Sequence, residues 1–133
     1  MSAVIDASVI VKWFFPEVHS EEAVALIDRT NLVLVPDLLW AEVGSVFWQR
    51  VRRGEITAVE AERLVDALEA FPCELRGVPA QELLAPALAI AIEAGTTVYD
   101  SLYLALAIRE GVPLITADRK FYAAYALSPL ARG

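Results

Sequence analysis

Four acids stand where an ionised carboxylate is costly. Asp6 follows the apolar run Ala3, Val4, Ile5, and Asp118 lies at the carboxyl end of Leu114, Ile115, Thr116. Asp100 falls in the first turn of a helix whose apolar residues run almost all round it. Glu42 comes three residues after Leu39 and four before Val46, so it projects from the face that Leu39, Val43, Val46 and Phe47 bury. Carboxylates in such surroundings require a compensating cation. One His and one Cys, with no ligand-spaced histidine pair, disfavour zinc. An all-oxygen site that keeps several waters suits Mg²⁺ or Mn²⁺, ions that bridge carboxylates to phosphate oxygens, and this points to a phosphodiester substrate. A metal of this kind makes a bound water nucleophilic, and a second one steadies the leaving oxygen.

Those acids can act together only if the fold gathers them. Ala3–Ile5 reads as a strand, Ser8 as the cap of a helix over Val9–Phe15, Ser20–Arg29 as a second helix and Leu32–Val35 as a second strand. Pro36 and Asp37 open a long helix, with Asp37 as its cap, and Arg50, Arg52 and Arg53 complement its end before Gly54. Thr57 and Glu60 form a capping box for a helix that continues to Pro72. Cys73–Val78 reads as an edge-like strand, and Ala80–Ala94 as a helix that Pro86 should kink or restart. An apolar helix over Tyr99–Ile108 stops at Gly111 and Pro113, and Leu114–Thr116 suits a central parallel strand. Arg119–Leu127 reads as a last helix, whereas Ser128–Gly133 has little strand character.

Strands separated by helices imply a parallel sheet covered on both faces, with its functional crevice outside the carboxyl ends of the strands. Asp6 and Asp118 lie at such ends, and Glu42 and Asp100 in early turns of helices that begin near the same edge.

With 133 residues the chain is expected to form a single domain over 1–133. A formal charge of −7 repels nucleic acid at long range, so a polyanionic partner needs a local patch or a metal. The single Cys73 excludes an internal disulfide, no apolar run approaches the roughly 18 residues of a membrane span, and the N-terminus lacks a basic leader. These features favour a cytoplasmic protein with no membrane partner.

The segments VIDAS at 4–8, PDLLWAEV at 36–43, VYDSLYLALA at 98–107 and LITADRKF at 114–121, in this order, resemble the PIN-domain ribonucleases and in particular the VapC-type toxins of toxin–antitoxin pairs. The resemblance covers nearly the whole chain. It implies a three-layer α/β/α sandwich around a short parallel sheet of four or five strands. It also implies Mg²⁺- or Mn²⁺-dependent endoribonuclease activity, a homodimer and a cognate antitoxin. Asp6, Glu42, Asp100 and Asp118 match the family's acidic quartet, and Ser8 and Thr116 match hydroxyl residues that support the metal waters or orient the acids. The family's final strand is hardly supplied by the six residues after Leu127.

Each residue also has a plainer reading. Asp6 serves equally as a helix cap, Glu42 as the partner of an arginine, and Ser8 and Thr116 as caps. Lys12, Arg119 and Lys120 lie close in sequence to the acids and suit phosphate contacts or ordinary solvated charge. Trp13, Phe14, Phe15, Trp40 and Trp48 suit either a dimer or antitoxin surface or core packing. Two other functions compete: a catalytically silent PIN-like binding or scaffold protein, and an acidic phosphoryl-transfer domain. Against the latter, a dehalogenase-like phosphatase needs a second Asp two residues after the first, where this chain has Ser8.

Overall fold

The computed structural model describes residues 1–15 and 20–117. Expectations for Asp118, Arg119, Lys120, the helix over Arg119–Leu127 and any fifth strand from the tail lie outside these residues.

The described chain runs β1 (Ser2–Ile5), α1 (Ala7–Phe14), α2 (Ser20–Asp28), β2 (Leu32–Pro36), α3 (Leu39–Arg52) and α4 (Ala58–Glu69). It continues through β3 (Glu74–Val78), α5 (Ala80–Ala94), α6 (Val98–Glu110) and β4 (Leu114–Ile115). All pairings are parallel, in the order β3-β2-β1-β4. Alternation along the strands divides the core. Ala3, Ile5, Val33 and Val35 pack with residues of α1 to α4, whereas Val4 and Leu34 pack with α5 and α6. The result is the expected α/β/α sandwich.

Crossover handedness explains why the helices segregate. From β1 to β2 to β3 the chain steps one way across the sheet, and it then returns past β1 to form β4. Right-handed crossovers stepping in opposite directions must cover opposite faces, which puts α1 to α4 on one side and α5 and α6 on the other. The sheet's topological switch therefore lies between β1 and β4, and a crevice opens there at the carboxyl edge.

Local sequence accounts for most element ends. The capping box is present, with Thr57 N–H donating to Glu60 at 3.2 Å and Glu60 N–H to Thr57 Oγ1 at 3.1 Å. Gly95 and Gly111 close α5 and α6 at φ 71° and 66°, a conformation that a Cβ disfavours. Residues 101–107 of α6 are all buried, as expected for a helix with protein on most sides. Among the described residues no single helix is long and apolar enough to cross a membrane.

Three local expectations need correction. Asp6, not Ser8, is the cap of α1, so the helix starts earlier and Ser8 lies in its first turn. Asp37 does not cap α3, whose cap residue Leu38 makes no side-chain bond; its Oδ1 instead accepts from Ala80 N–H at 3.0 Å. Pro86 does not restart the helix, since α5 runs through it as one element. Among the described residues β4 is half-buried and pairs in parallel with β1.

The aromatic bulk is divided between core and surface. Trp13, Phe14 and Phe15 pack against Phe47 and Phe71, with centroid separations of 5.1 to 5.9 Å, whereas Trp40 and Trp48 remain 38% and 56% exposed.

Asp37 thus joins the end of β2 to the start of α5. Asp37→Ala should lower the unfolding free energy by about 1 kcal/mol, the usual cost of a lost N-terminal cap, as measured by urea denaturation. An unchanged midpoint would show that the contact contributes nothing.

Candidate active site

The switch between β1 and β4 sets two chain exits side by side. Val4 and Ile5 are in register with Leu114 and Ile115, and Asp6 N–H extends the ladder by donating to Ile115 O at 3.1 Å. Asp6 and Thr116 consequently emerge together from the sheet edge. Asp6 is only 8% exposed. Its carboxylate accepts from the Ser8 hydroxyl, from Val9 N–H at 3.3 Å and from the Thr116 hydroxyl. Ser8 Oγ also accepts from Ala117 N–H at 3.2 Å, fastening the chain after β4 to the first turn of α1.

Two further acids arrive from opposite layers. Glu42 occupies the first turn of α3, just past the end of β2, and is half-buried. Asp100 occupies the first turn of α6, where Thr97 caps the helix by accepting Asp100 N–H at 3.1 Å. One helical turn on from Asp100, Tyr103 is 2% exposed, and its hydroxyl donates to Glu42 Oε1 at 2.6 Å. This bond links α6 to α3 across the sheet edge. Ser8, Lys12, Glu42, Val46 and Ala117 help to line an open cleft of about 400 Å³.

Electrostatics tie the three acids together. Burial raises the pKa of Asp6 above the ordinary 3.8; the Ser8, Thr116 and Val9 donors oppose this, and the charge of Asp100 adds to it. Burial likewise raises Glu42 above 4.5, opposed by the Tyr103 donor and assisted by the charges of Asp100 and Asp6. The Tyr103 phenol is pushed far up by burial, by its bond to Glu42 and by the charges of Glu42 and Asp6. The three carboxylates therefore share one region of negative potential, with half-buried Lys12 as the cationic side chain in the cleft.

This donor set, carboxylate and hydroxyl oxygens, fits a hard divalent cation that retains much of its water. Among the described residues no three His, Cys, Asp or Glu side chains enclose one point closely enough to hold an ion by themselves. Asp118 lies outside the described residues. The structure thus brings Asp6, Glu42, Asp100, Ser8 and Thr116 to one edge and adds Lys12 to the cleft.

The reading of the sequence missed Tyr103. It sits inside an apolar helix and resembles ordinary core, although its spacing of three from Asp100 could have placed it on the same face.

Comparison with known proteins agrees with this architecture. The PIN domain family model matches residues 3–127. The chain is 36% identical over 120 residues to a protein named Ribonuclease VapC3 from Pyrobaculum aerophilum, covering 90% of this chain and 92% of that protein. Among solved structures it is similar to Mycobacterium tuberculosis VapC20, described as a sarcin-ricin loop cleaving toxin, with a TM-score of 0.70, 16% identity and coverage of 92% and 94%. It is also similar to a chain of a toxin–antitoxin complex from Klebsiella pneumoniae, with a TM-score of 0.65, 19% identity and coverage of 91% and 90%. At these identities the two structures show a shared fold.

Raised carboxyl pKa values are a statement about stability. The fold binds protons at Asp6 and Glu42 more tightly than the unfolded chain does. Their contribution is nil below the ordinary 3.8 and 4.5, becomes a penalty that grows as pH rises from these towards the folded values, and is constant above them. In metal-free protein, Asp6→Asn should therefore be more stable than the wild type at neutral pH. The difference should shrink towards zero as both forms are acidified, as read by urea denaturation across this range. An Asp6→Asn protein that is less stable at every pH would contradict the assignment.

Proposed function

Since the chain belongs to the PIN domain family, we propose that it is a metal-dependent endoribonuclease, the toxin of a toxin–antitoxin pair, working in the cytoplasm. The observation that carries this reading is Asp6. It is a nearly buried carboxylate at the sheet's topological reversal, held by three donors while the charges of Asp100 and Glu42 converge on the same region. The name of the Pyrobaculum relative supports a ribonuclease, and the Klebsiella complex supports an antitoxin as partner. A homodimer is the assembly proposed.

In this reading Asp6, Glu42, Asp100 and Asp118 hold one or two Mg²⁺ or Mn²⁺ ions. When bound, such ions supply a nucleophilic water at neutral pH and neutralise charge that develops on the phosphate. The chain's own groups then have distinct tasks. Ser8, Thr116 and Val9 N–H fix the Asp6 carboxylate, so its orientation does not depend on the ligand. Tyr103 occupies Glu42 Oε1 and leaves Oε2 as the oxygen available to the site. Lys12 from α1, with Arg119 and Lys120, provides charge for phosphate oxygens, positioning RNA without reading its sequence. Hydrolysis of the phosphodiester leaves a 5′ phosphate and a 3′ hydroxyl.

The test uses the full chain purified free of antitoxin, with linear and circular RNA, in Mg²⁺, Mn²⁺ or EDTA. A circular substrate has no ends, so its cleavage distinguishes internal cutting from trimming. The expected result is opening of the circle with either metal, none in EDTA, and at least about 100-fold loss in Asp6→Asn and Asp100→Asn, the usual scale for losing a group that acts in the reaction. Equal cleavage in every arm would contradict the proposal and indicate a contaminating nuclease.

Metal binding should also be visible without turnover. Free Mg²⁺ at about 100 times its Kd should stabilise the folded chain by about 2.7 kcal/mol, read as a rise in Tm that Asp100→Asn reduces. No rise at saturating Mg²⁺ would count against a shared metal site.

A further inference from the structure

An acidic ribonuclease needs somewhere to hold the RNA on either side of the cut, and the end of α3 offers such a surface. Three of the chain's 11 basic residues fall at Arg50, Arg52 and Arg53. As helix-end charges they would be interchangeable, yet the structure gives them different surroundings. Arg50 is half-buried, paired with Glu55 at 3.0 Å and stacked over the Phe15 ring at 4.3 Å. Arg52 and Arg53 are exposed, and neither forms an ion pair among the described residues. Arg52 lies 5.1 Å over the ring of Trp48, which is 56% exposed. Together with Gln49 these side chains line an open groove of about 400 Å³.

One side of the groove is aligned with the acids, whereas Trp48 and Arg52, six and ten residues after Glu42, stand about 120° and 80° round the helix from it. Gln49 and Arg53 follow Glu42 on α3 by seven and eleven residues, close to two and three whole turns, so the three share one stripe of the helix. At 1.5 Å per residue they lie about 10 and 16 Å along the axis from Glu42. Val46, between them, lines the acidic cleft itself. An exposed indole with a guanidinium on its face is a platform on which any nucleobase can stack, and adjacent arginines suit the phosphates that follow. On a chain of net charge −7, such a local cationic row is where a polyanion would be held.

We propose that the exposed end of α3, formed by Trp48, Gln49, Arg52 and Arg53, binds single-stranded RNA flanking the scissile bond. One base stacks on the Trp48 indole and the arginines contact neighbouring phosphates. This rests on the ribonuclease reading and adds to it a second contact region, separate from the acids.

The test compares wild type, Trp48→Ala, Trp48→Phe and the double variant Arg52→Gln/Arg53→Gln, all as the full chain. Binding to a labelled single-stranded RNA oligonucleotide is measured by anisotropy in EDTA over a series of salt concentrations, and KM and kcat for cleavage are measured in Mg²⁺. Trp48→Ala should weaken binding about tenfold, and Trp48→Phe, which keeps a stacking face, should restore most of it. The arginine variant should lower the slope of log K against log salt by about 1.4, two phosphates at about 0.7 each on a single strand. KM should rise in both Trp48→Ala and the arginine variant while kcat and Tm stay as in wild type, since these side chains are exposed. RNA cleavage by wild type with unchanged affinity and KM in the variants would overturn this inference and leave the ribonuclease reading standing. Unchanged RNA affinity with loss of the complex with a co-expressed antitoxin would also overturn it and assign the surface to a protein partner. A wild-type chain that neither binds nor cleaves RNA would remove both.

Discussion

Like charges held at one edge of a parallel sheet are the constraint on which this molecule depends. Asp6 and Thr116 leave neighbouring strands where the crossover direction reverses, Glu42 enters from one helical layer and Asp100 from the other. None can withdraw without disturbing the element that carries it. Asp6 is the cap of α1, Asp100 lies in the turn that Thr97 caps, and Glu42 is held by a tyrosine in the core. The scaffold therefore sustains an arrangement that the unfolded chain would avoid, and burial and mutual charge raise the proton affinity of Asp6 and Glu42.

The rest of the fold makes this tolerable. Strands β1 and β2 are buried on both faces, between an aromatic-rich layer built on α1 and α3 and a layer built on α5 and α6. Support of this kind holds the donors on Asp6 and the Tyr103 bond to Glu42 in fixed positions. Tyr103 has a second consequence. It spans the two layers exactly where each contributes an acid, so the separation of Glu42 from Asp100 depends on core packing as well as on the surface.

Much of this was legible in the sequence because the physical signals were local. An apolar run ending in Asp6, a glutamate on the wrong face of an amphipathic helix and an acid opening an all-apolar helix each violate the usual pattern, and functional sites are where such violations are expected. Alternation and helix spacing gave the layers. What was misread depended on distant partners. Asp37 sits where a cap for α3 belongs, but its acceptor role is taken up by Ala80, 43 residues away. Tyr103 looks like core until Glu42, 61 residues away, is placed against it. Ser8 has a cap's residue type, yet Asp6 two residues earlier is the cap of α1 while its carboxylate also faces the site.

The central claim is that these carboxylates form one electrostatic unit whose tension a divalent cation relieves. It is tested most directly by following the side-chain carboxyl carbons of Asp6 and Glu42 by NMR as pH is varied, with and without Mg²⁺. The account predicts that both titrate above the ordinary aspartate and glutamate values of 3.8 and 4.5 in metal-free protein and that Mg²⁺ lowers both together. Titration at ordinary values, unmoved by Mg²⁺, would contradict it.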